Sequence, residues 1–255
     1  MSAPKILIER HGPVTTFIIN RAEVRNALDQ EASALLAEAF QAFDQDDSQQ
    51  VGVVTGAGDA FCAGADLKEA ANNINYKAWA GHPEGPLHKP LSKPLIAAVS
   101  GHAVAGGLGI ALYCDIRIAD PDAVFGIFCR RWGVPMSDGT PTRLPRLIGT
   151  GPAMDMMLTG KPVSAEEAKE IGLVTRISEK GKVREEAEAL ALQIAGFPPI
   201  AMLSDRHAIY DQQGRPEAEA VLREGELAKE AQFKEAKAGA GRFAKGQGRH
   251  GDFDS

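Results

Sequence analysis

An α/β fold followed by a purely helical C-terminal region is what the sequence predicts, and three observations carry that prediction. Short β-branched or apolar runs alternate with segments of helical spacing as far as residue 178. From residue 182 onward only helical patterns remain. Between them lies residues 95–119, LIAAVSGHAVAGGLGIALYCDIRIA, which reads as strand, tight glycine turn, buried helix and strand.

The elements follow in order. KILIER and VTTFIIN flank His11-Gly12-Pro13 and predict a β-hairpin over residues 5–20. Apolar residues at Ala32, Leu35, Leu36, Ala39, Phe40 and Phe43 have the spacing of a helix over 29–44. Residues 51–55 form a β-branched strand, and the glycine-containing turn FCAGADLKE (61–69) comes after it. Residues 70–93 hold Gly, Pro, His and Asn with little periodicity. Past residue 119, VFGIF reads as a short strand and CRRWGVPMSDG as a loop. Pro141 then suits the first position of the helix TRLPRLIG, where a missing N–H costs nothing. Ser164 and Glu167 have capping-box spacing ahead of EEAKEIG, which Gly172 ends. LVTRIS is the last strand, and helices are expected near 182–195, 199–211 and 216–238.

Composition narrows the function classes. A chain of 255 residues with 44% hydrophobic and 24% charged content can bury a sizeable core. Its net charge of -6 is spread without a strong block, so neither nucleic acid nor an anionic membrane surface is the expected partner. Residues 95–116 are long enough to span a bilayer, but Ser100, His102, Asp115 and several glycines interrupt them, and no membrane span is expected. Cys62, Cys114 and Cys129 lack metal-ligand spacing, and the N-terminus lacks the apolar stretch of a signal peptide; no metal and a cytoplasmic setting are the expectation.

The chemistry gathers at the two glycine turns. Gly106-Gly107 stand where a helix begins and where its first N–H groups have no partner inside the helix. The positive end of the helix dipole favours negative charge there. If the strands before the two turns are neighbours, the N–H groups of Ala65 and Gly106 converge on one oxygen. Each donor of such an oxyanion hole is worth about 10²–10³ in rate.

Five motifs stand in register: NRAEVRNAL (20–28), FCAGADLKE, PLIAAVSGHAVAGGLGIALYCDIRIA, FGIFCRRWGVPMSDGTPTRLPRLIG and LTGKPVSAEEAKEIGLV (158–174). In this order they resemble the enoyl-CoA hydratase/isomerase (crotonase) superfamily over most of the chain. The resemblance implies a crotonase-like ββα spiral core over residues 1–195 and a helical C-terminal trimerisation region over 196–255. It also implies an acyl-CoA substrate whose thioester carbonyl is held by Ala65 and Gly106 as an enolate forms. CoA arrives as part of the substrate, and no separate cofactor is expected. CoA and substrate contacts are implied for the backbone near Arg25, for Ala63, Ala65, Asp66 and Lys68, for Gly107, Gly109 and Cys129, and for Phe243 reaching the adenine of a neighbouring subunit. A homotrimer or a dimer of trimers is the assembly the likeness implies. The apolar Leu222, Leu227, Ala231 and Phe233 of the tail, which have no evident core of their own, point the same way.

The departures from the family pattern matter as much. Hydratases of the superfamily carry one glutamate three residues after the oxyanion glycine and a second after the FG strand; the matching positions here are Gly109 and Cys129. Addition of water across an enoyl bond thereby lacks its two usual carboxylates. Asp138 lies in a loop where several relatives present an aspartate, and two readings stand for it: an acid/base, or the cap of the helix starting near Pro141. A buried structural thiol is the reading for Cys129, a structural place for His102, and either solvent or an acidic acyl group for Arg130 and Arg131. An aspartate-nucleophile reaction like that of the aryl-CoA dehalogenases needs a histidine base, for which His82 and His88 are the candidates. A hydrolase and an inactive CoA-binding homologue are the further alternatives.

Overall fold

The computed structural model describes residues 3–77 and 82–247, so residues 78–81 of the aperiodic segment lie outside the described residues. The chain divides into two compact units, Met1–Ile194 and Ala195–Ser255. In the first, strands β1 (Ile6–His11), β2 (Val14–Ile19) and β3 (Val51–Gly56) are followed by β4 (Leu95–Val99), β5 (His102–Val104) and β6 (Ile116–Ala119). Strands β7 (Val124–Gly126), β8 (Val163–Ser164) and β9 (Arg176–Ile177) complete the set. The helices of this unit are α1 (Gln30–Gln45), α2 (Leu67–Asn72), α3 (Gly106–Tyr113), α4 (Thr140–Ile148), α5 (Thr150–Thr159), α6 (Ala165–Glu170) and α7 (Val183–Ala195).

The strands form two sheets, one in the order β1-β2-β3-β4-β6-β9 and one in the order β5-β7-β8. The expected hairpin is present, β1 pairing antiparallel with β2. In the large sheet the pairing from β2 through β9 is parallel, and β2, β3, β4 and β6 are almost continuously buried, as strands covered on both faces must be. Phe17 of β2 meets Phe40 and Phe43 of α1 edge to face, at centroid separations of 4.9 and 5.5 Å. That contact seats the helix predicted from its apolar spacing, and the Asp29 carboxylate caps it by accepting the Ala32 N–H.

One regularity places the site. After β3, β4 and β6 have each run through the large sheet, the chain crosses to the small one: Cys62 bridges Ala103 of β5, and Ala103 lies opposite Phe125 of β7. Cys62, Ala103 and Phe125 therefore stand side by side. Three residues beyond them come Ala65, Gly106 and Phe128, brought to adjacent places by the same parallel register.

Several expectations need correction. The segment 95–119 contains an additional strand, β5, which at three residues is too short to show a period. The strand expected over VFGIF stops at Gly126, and Phe128–Trp132, expected as the end of that strand and the start of a loop, forms a 3₁₀ turn. Pro141 occupies the second position of α4 because the helix begins at Thr140. Ser164 accepts the Glu167 N–H, but the Glu167 carboxylate turns to Lys161 at 2.8 Å, so only half of the capping box forms. Helix α5 was not evident in the sequence; Gly149, at φ 81°, divides it from α4.

The second unit holds α8 (Pro199–Asp211), α9 (Glu217–Ala231), a π-helical turn (Gln232–Ala236) and α10 (Lys237–Ala244). The Glu235 carboxylate accepts the N–H groups of Ile200 and Ala201, capping α8 in place of a residue at its own N-terminus. Ala231 is buried and Leu227 half-buried, whereas Leu222 and Phe233 are exposed. Among the described residues no single helix is long and apolar enough to cross a membrane.

Candidate active site

The two glycine turns are built against one another. The Cys62 N–H donates to His102 O at 2.9 Å and the Val104 N–H to Cys62 O at 3.0 Å, closing a short parallel ladder between the turns. A Cβ on Gly107 would lie 2.0 Å from Cys62 O, and one on Gly64, at φ 95°, would lie 2.7 Å from the Gly106 nitrogen. Gly107 is thus required for close packing of the two turns. The contact with ligand expected of it is not what its Cα faces.

The register also frees the two donors. Leu28 bonds to Gly64 O and to the Asp66 N–H, so the intervening Ala65 directs its own N–H to the opposite side. In α3 the first bond closes from the Gly109 N–H to Ala105 O at 3.3 Å, leaving Gly106 without an acceptor in the helix. Among the described residues neither the Ala65 N–H nor the Gly106 N–H has a protein acceptor. Ala105, between β5 and α3, has φ 50° and ψ −125°, a conformation alanine adopts only under constraint. Its N–H is held by Gly126 O at 2.9 Å, which fixes the turn that aims Gly106.

A cleft of about 250 Å³ opens over these groups and is bounded by Ala63, Ala65, Ala105, Gly106, Phe128, Cys129 and Asp138 among others. Asp138 is 4% exposed. Its Oδ1 accepts the Thr140 N–H, the first of α4, at 2.9 Å from one residue ahead of Gly139, which holds the N-cap position. Its Oδ2 lies over Gly109, where a Cβ at residue 109 would be 2.2 Å away. The two readings of this aspartate are therefore compatible: Oδ1 is held by an N–H of α4, Oδ2 lies against Gly109, and the residue borders the cleft. Burial pushes its pKa above the ordinary carboxylate value, outweighing the opposing bond from Thr140. Arg143 holds the turn, donating to Asp138 O at 2.9 Å and to Leu87 O at 2.7 Å.

The other anticipated residues divide. Cys129 borders the cleft with Sγ 3.2 Å from Met136 Sδ, and burial raises its pKa, leaving a neutral thiol. Ala63 borders it too, but its N–H is engaged by Arg25 O at 3.0 Å. Arg25 itself is exposed, in a left-handed conformation at φ 53°. Asp66 is committed to structure: Oδ1 caps α2 through the Lys68 and Glu69 N–H groups, and Oδ2 lies 3.1 Å from Arg21. Lys68 is exposed on α2, and Phe243 is exposed on α10 in the second unit. Arg130 donates to Met157 O, Arg131 stands over the Phe128 ring at 5.0 Å, and neither borders the cleft. His82 and His88 are exposed and do not border it either, while half-buried His102 belongs to β5.

Two polar residues of this region escaped the sequence reading, Arg143 and Arg117. Arg117, 4% exposed, donates to Cys114 O at 2.6 Å and Leu173 O at 2.7 Å, covering the C-terminal end of α3. An arginine inside an apolar strand pattern, IRIA, was the available signal for it.

Comparison with known proteins gives consistent matches. Residues 9–250 match the family model described as Enoyl-CoA hydratase/isomerase. Enoyl-CoA hydratase EchA19 of Mycobacterium tuberculosis is 36% identical over 226 residues, 86% of this chain and 85% of that protein. Short-chain-enoyl-CoA hydratase of Clostridium acetobutylicum is 33% identical over 82% of each. The crystal structure of enoyl-CoA hydratase EchA1 from Mycobacterium marinum superposes with a TM-score of 0.89 at 35% identity, covering 95% of this chain and 96% of that one.

Proposed function

The chain belongs to the enoyl-CoA hydratase/isomerase family and has its crotonase fold, and from that premise we propose that it moves a proton within an acyl-CoA thioester, using Asp138 as the single acid/base. The observation that carries this reading is one buried carboxylate at a cleft that also presents two unpartnered N–H groups. In the proposed step the thioester oxygen accepts the N–H groups of Ala65 and Gly106. Asp138 Oδ2 removes a proton from the acyl carbon chain, and the charge passes to that oxygen as an enolate. The same carboxyl returns the proton to a different carbon, which shifts the double bond with no change in composition. Its raised pKa favours both halves of the exchange near neutral pH.

Hydration of an enoyl bond uses a group for the attacking water and one for the carbon that is protonated. Among the described residues bordering the cleft Asp138 is the only carboxylate, which supports isomerisation over hydration. The test offers matched 3-enoyl and 2-enoyl thioesters of CoA in D₂O. Interconversion with deuterium entering the acyl chain is expected. Hydration of the 2-enoyl substrate with kcat/KM in the ordinary range of about 10⁴–10⁸ M⁻¹s⁻¹, and no isomerisation, overturns the reading.

Nucleophilic attack by Asp138 is less well supported, since the histidine it needs would be exposed His82 or His88. Turnover of any acyl-CoA excludes the inactive homologue. The proposal extends to a homotrimer or a dimer of trimers, supported by exposed Leu222 and Phe233, which sedimentation at micromolar concentration tests. It also extends to a reducing cytoplasm, which three free cysteines suit.

A further inference from the structure

We propose that the acyl group accepted by this site is uncharged and apolar over its whole length, and that a terminal carboxylate on it is rejected. The inference rests on the reading of the cleft as an acyl-CoA site. Around the paired N–H groups the wall includes Leu67, Tyr76, Phe128, Trp132, Val134 and Met136, with the Ser137 hydroxyl and the Tyr76 phenol as its uncharged polar groups. Among the described residues that border the cleft there is no lysine, arginine or histidine.

The cations nearest in sequence are directed elsewhere. Arg130 donates to Met157 O, and the Arg131 guanidinium covers Phe128 at 5.0 Å. Arg143 is turned to the carbonyls of Asp138 and Leu87. The one charged side chain among the described residues that border the cleft is Asp138, and outside the cleft Asp66 and Glu69 lie near enough to Tyr76 to add to the effect of burial in raising its pKa. A carboxylate carried into this cleft would lose its water, gain no cation and meet like charge.

The apolar surface continues to the mouth, where Leu67 is 40% and Trp132 71% exposed. Trp132 ends the 3₁₀ turn that Phe128 begins, so its position is tied to the same register that sets Ala65 and Gly106 side by side. It is the residue that decides what the far end of the acyl group meets. Because it is exposed, exchanging it for arginine adds a cation at the mouth without placing a charge in the core.

The test compares binding of octanoyl-CoA and suberyl-CoA, which differ by a terminal carboxylate, with CoA alone as the baseline, by calorimetry on the full-length protein. Neither thioester carries a double bond, so binding is read apart from turnover. Octanoyl-CoA is expected to bind at least tenfold more tightly than suberyl-CoA, about the smallest discrimination that an uncompensated buried charge imposes. Trp132→Arg should narrow or invert that ratio, while Arg130→Ala, which alters a cation outside the cleft, should leave it unchanged. Equal affinity of the two thioesters overturns this inference and leaves the proposed function standing. An unmoved ratio in Trp132→Arg overturns the role given to Trp132. Absence of binding by both thioesters and by CoA overturns the proposed function and this inference together.

Discussion

The two ends of α3, a helix of only eight residues, are finished in opposite ways. At the C-terminal end Arg117 is spent on carbonyls, donating to Cys114 O at the close of the helix and to Leu173 O beyond it. Its charge also complements the negative end of the helix dipole. At the N-terminal end the Gly106 N–H is left open, beside an Ala105 held at φ 50° and the equally open N–H of Ala65. Buried backbone groups are almost always paired in folded proteins. An end that is not, placed at a cleft and matched by a second free donor, is fitted for the oxygen of a ligand. The comparison teaches where stability and activity separate: substitutions at the closed end should change the first, and those at the open end the second.

The largest effect is expected where the closed end is broken. Arg117→Met keeps an apolar stem but leaves Cys114 O and Leu173 O without donors in a buried setting. At about 1–3 kcal/mol for each orphaned acceptor, the loss is about 2–6 kcal/mol of folding stability, readable by urea unfolding. Activity per folded molecule should change little. A stable Arg117→Met protein with a greatly reduced kcat would show that the two ends are not separable.

At the open end, Asp138→Asn keeps a side-chain oxygen to accept the Thr140 N–H while removing the acid/base. The value of kcat should fall by about 10²–10⁴ with KM little altered. Asp138→Ala loses the cap as well, and should add about 0.5–2 kcal/mol of destabilisation to the same loss of rate. Unchanged activity in Asp138→Asn removes this residue from the mechanism.

A third substitution sharpens the comparison from within the helix. Gly109→Ala puts a methyl group where Asp138 Oδ2 now lies, since the added Cβ would be 2.2 Å from it. The carboxylate must move, and a displacement of this size should lower kcat by about tenfold or more. Combined with Asp138→Asn, it should add little further loss in rate, because both act on one group. Full additivity would show that Gly109 acts on the reaction by a separate route.

Much of this arrangement was legible in the sequence because glycines mark it. The turns at residues 61–69 and 106–107 and the helices with apolar spacing are local features, each written in a few neighbouring residues. What was not legible depends on tertiary register. Gly109 read as a missing carboxylate, yet its bareness is what admits the carboxylate of Asp138 from another element. A glutamate introduced at 109 would contest that volume with it, so the two positions cannot be read independently. The Asp66 carboxylate, expected beside the substrate, is taken up by the α2 cap and Arg21, a pairing that spans 45 residues of chain. Arg143 and Leu87 meet across 56 residues, in a segment whose sequence shows no period.

The smallest expected effect is one of pH, and it distinguishes the open end from every capped one. Asp138 has its pKa raised by burial, so the folded protein holds that proton over a range where the unfolded chain has released it. The native state binds more protons than the unfolded state between the ordinary carboxylate value and the raised one. The contribution of this group to stability is therefore fully present below that window and is lost as pH rises through it. Asp29 has the opposite sign: bonds from Lys5 and the Ala32 N–H outweigh its own desolvation and lower its pKa, so its contribution is lost as pH falls. In the proposed reaction the ionised form of Asp138 is the base, and the acid limb of kcat/KM should lie above the range of an ordinary aspartate. In Asp138→Asn the stability loss on raising pH through the window should disappear, leaving the variant no less stable than the wild type near neutral pH. Unfolding measured across pH for both proteins tests this directly. A wild type that gains stability through that window relative to Asp138→Asn would mean that the carboxylate is stabilised in the fold by its bonds, and that burial does not hold its proton for the exchange at the open end.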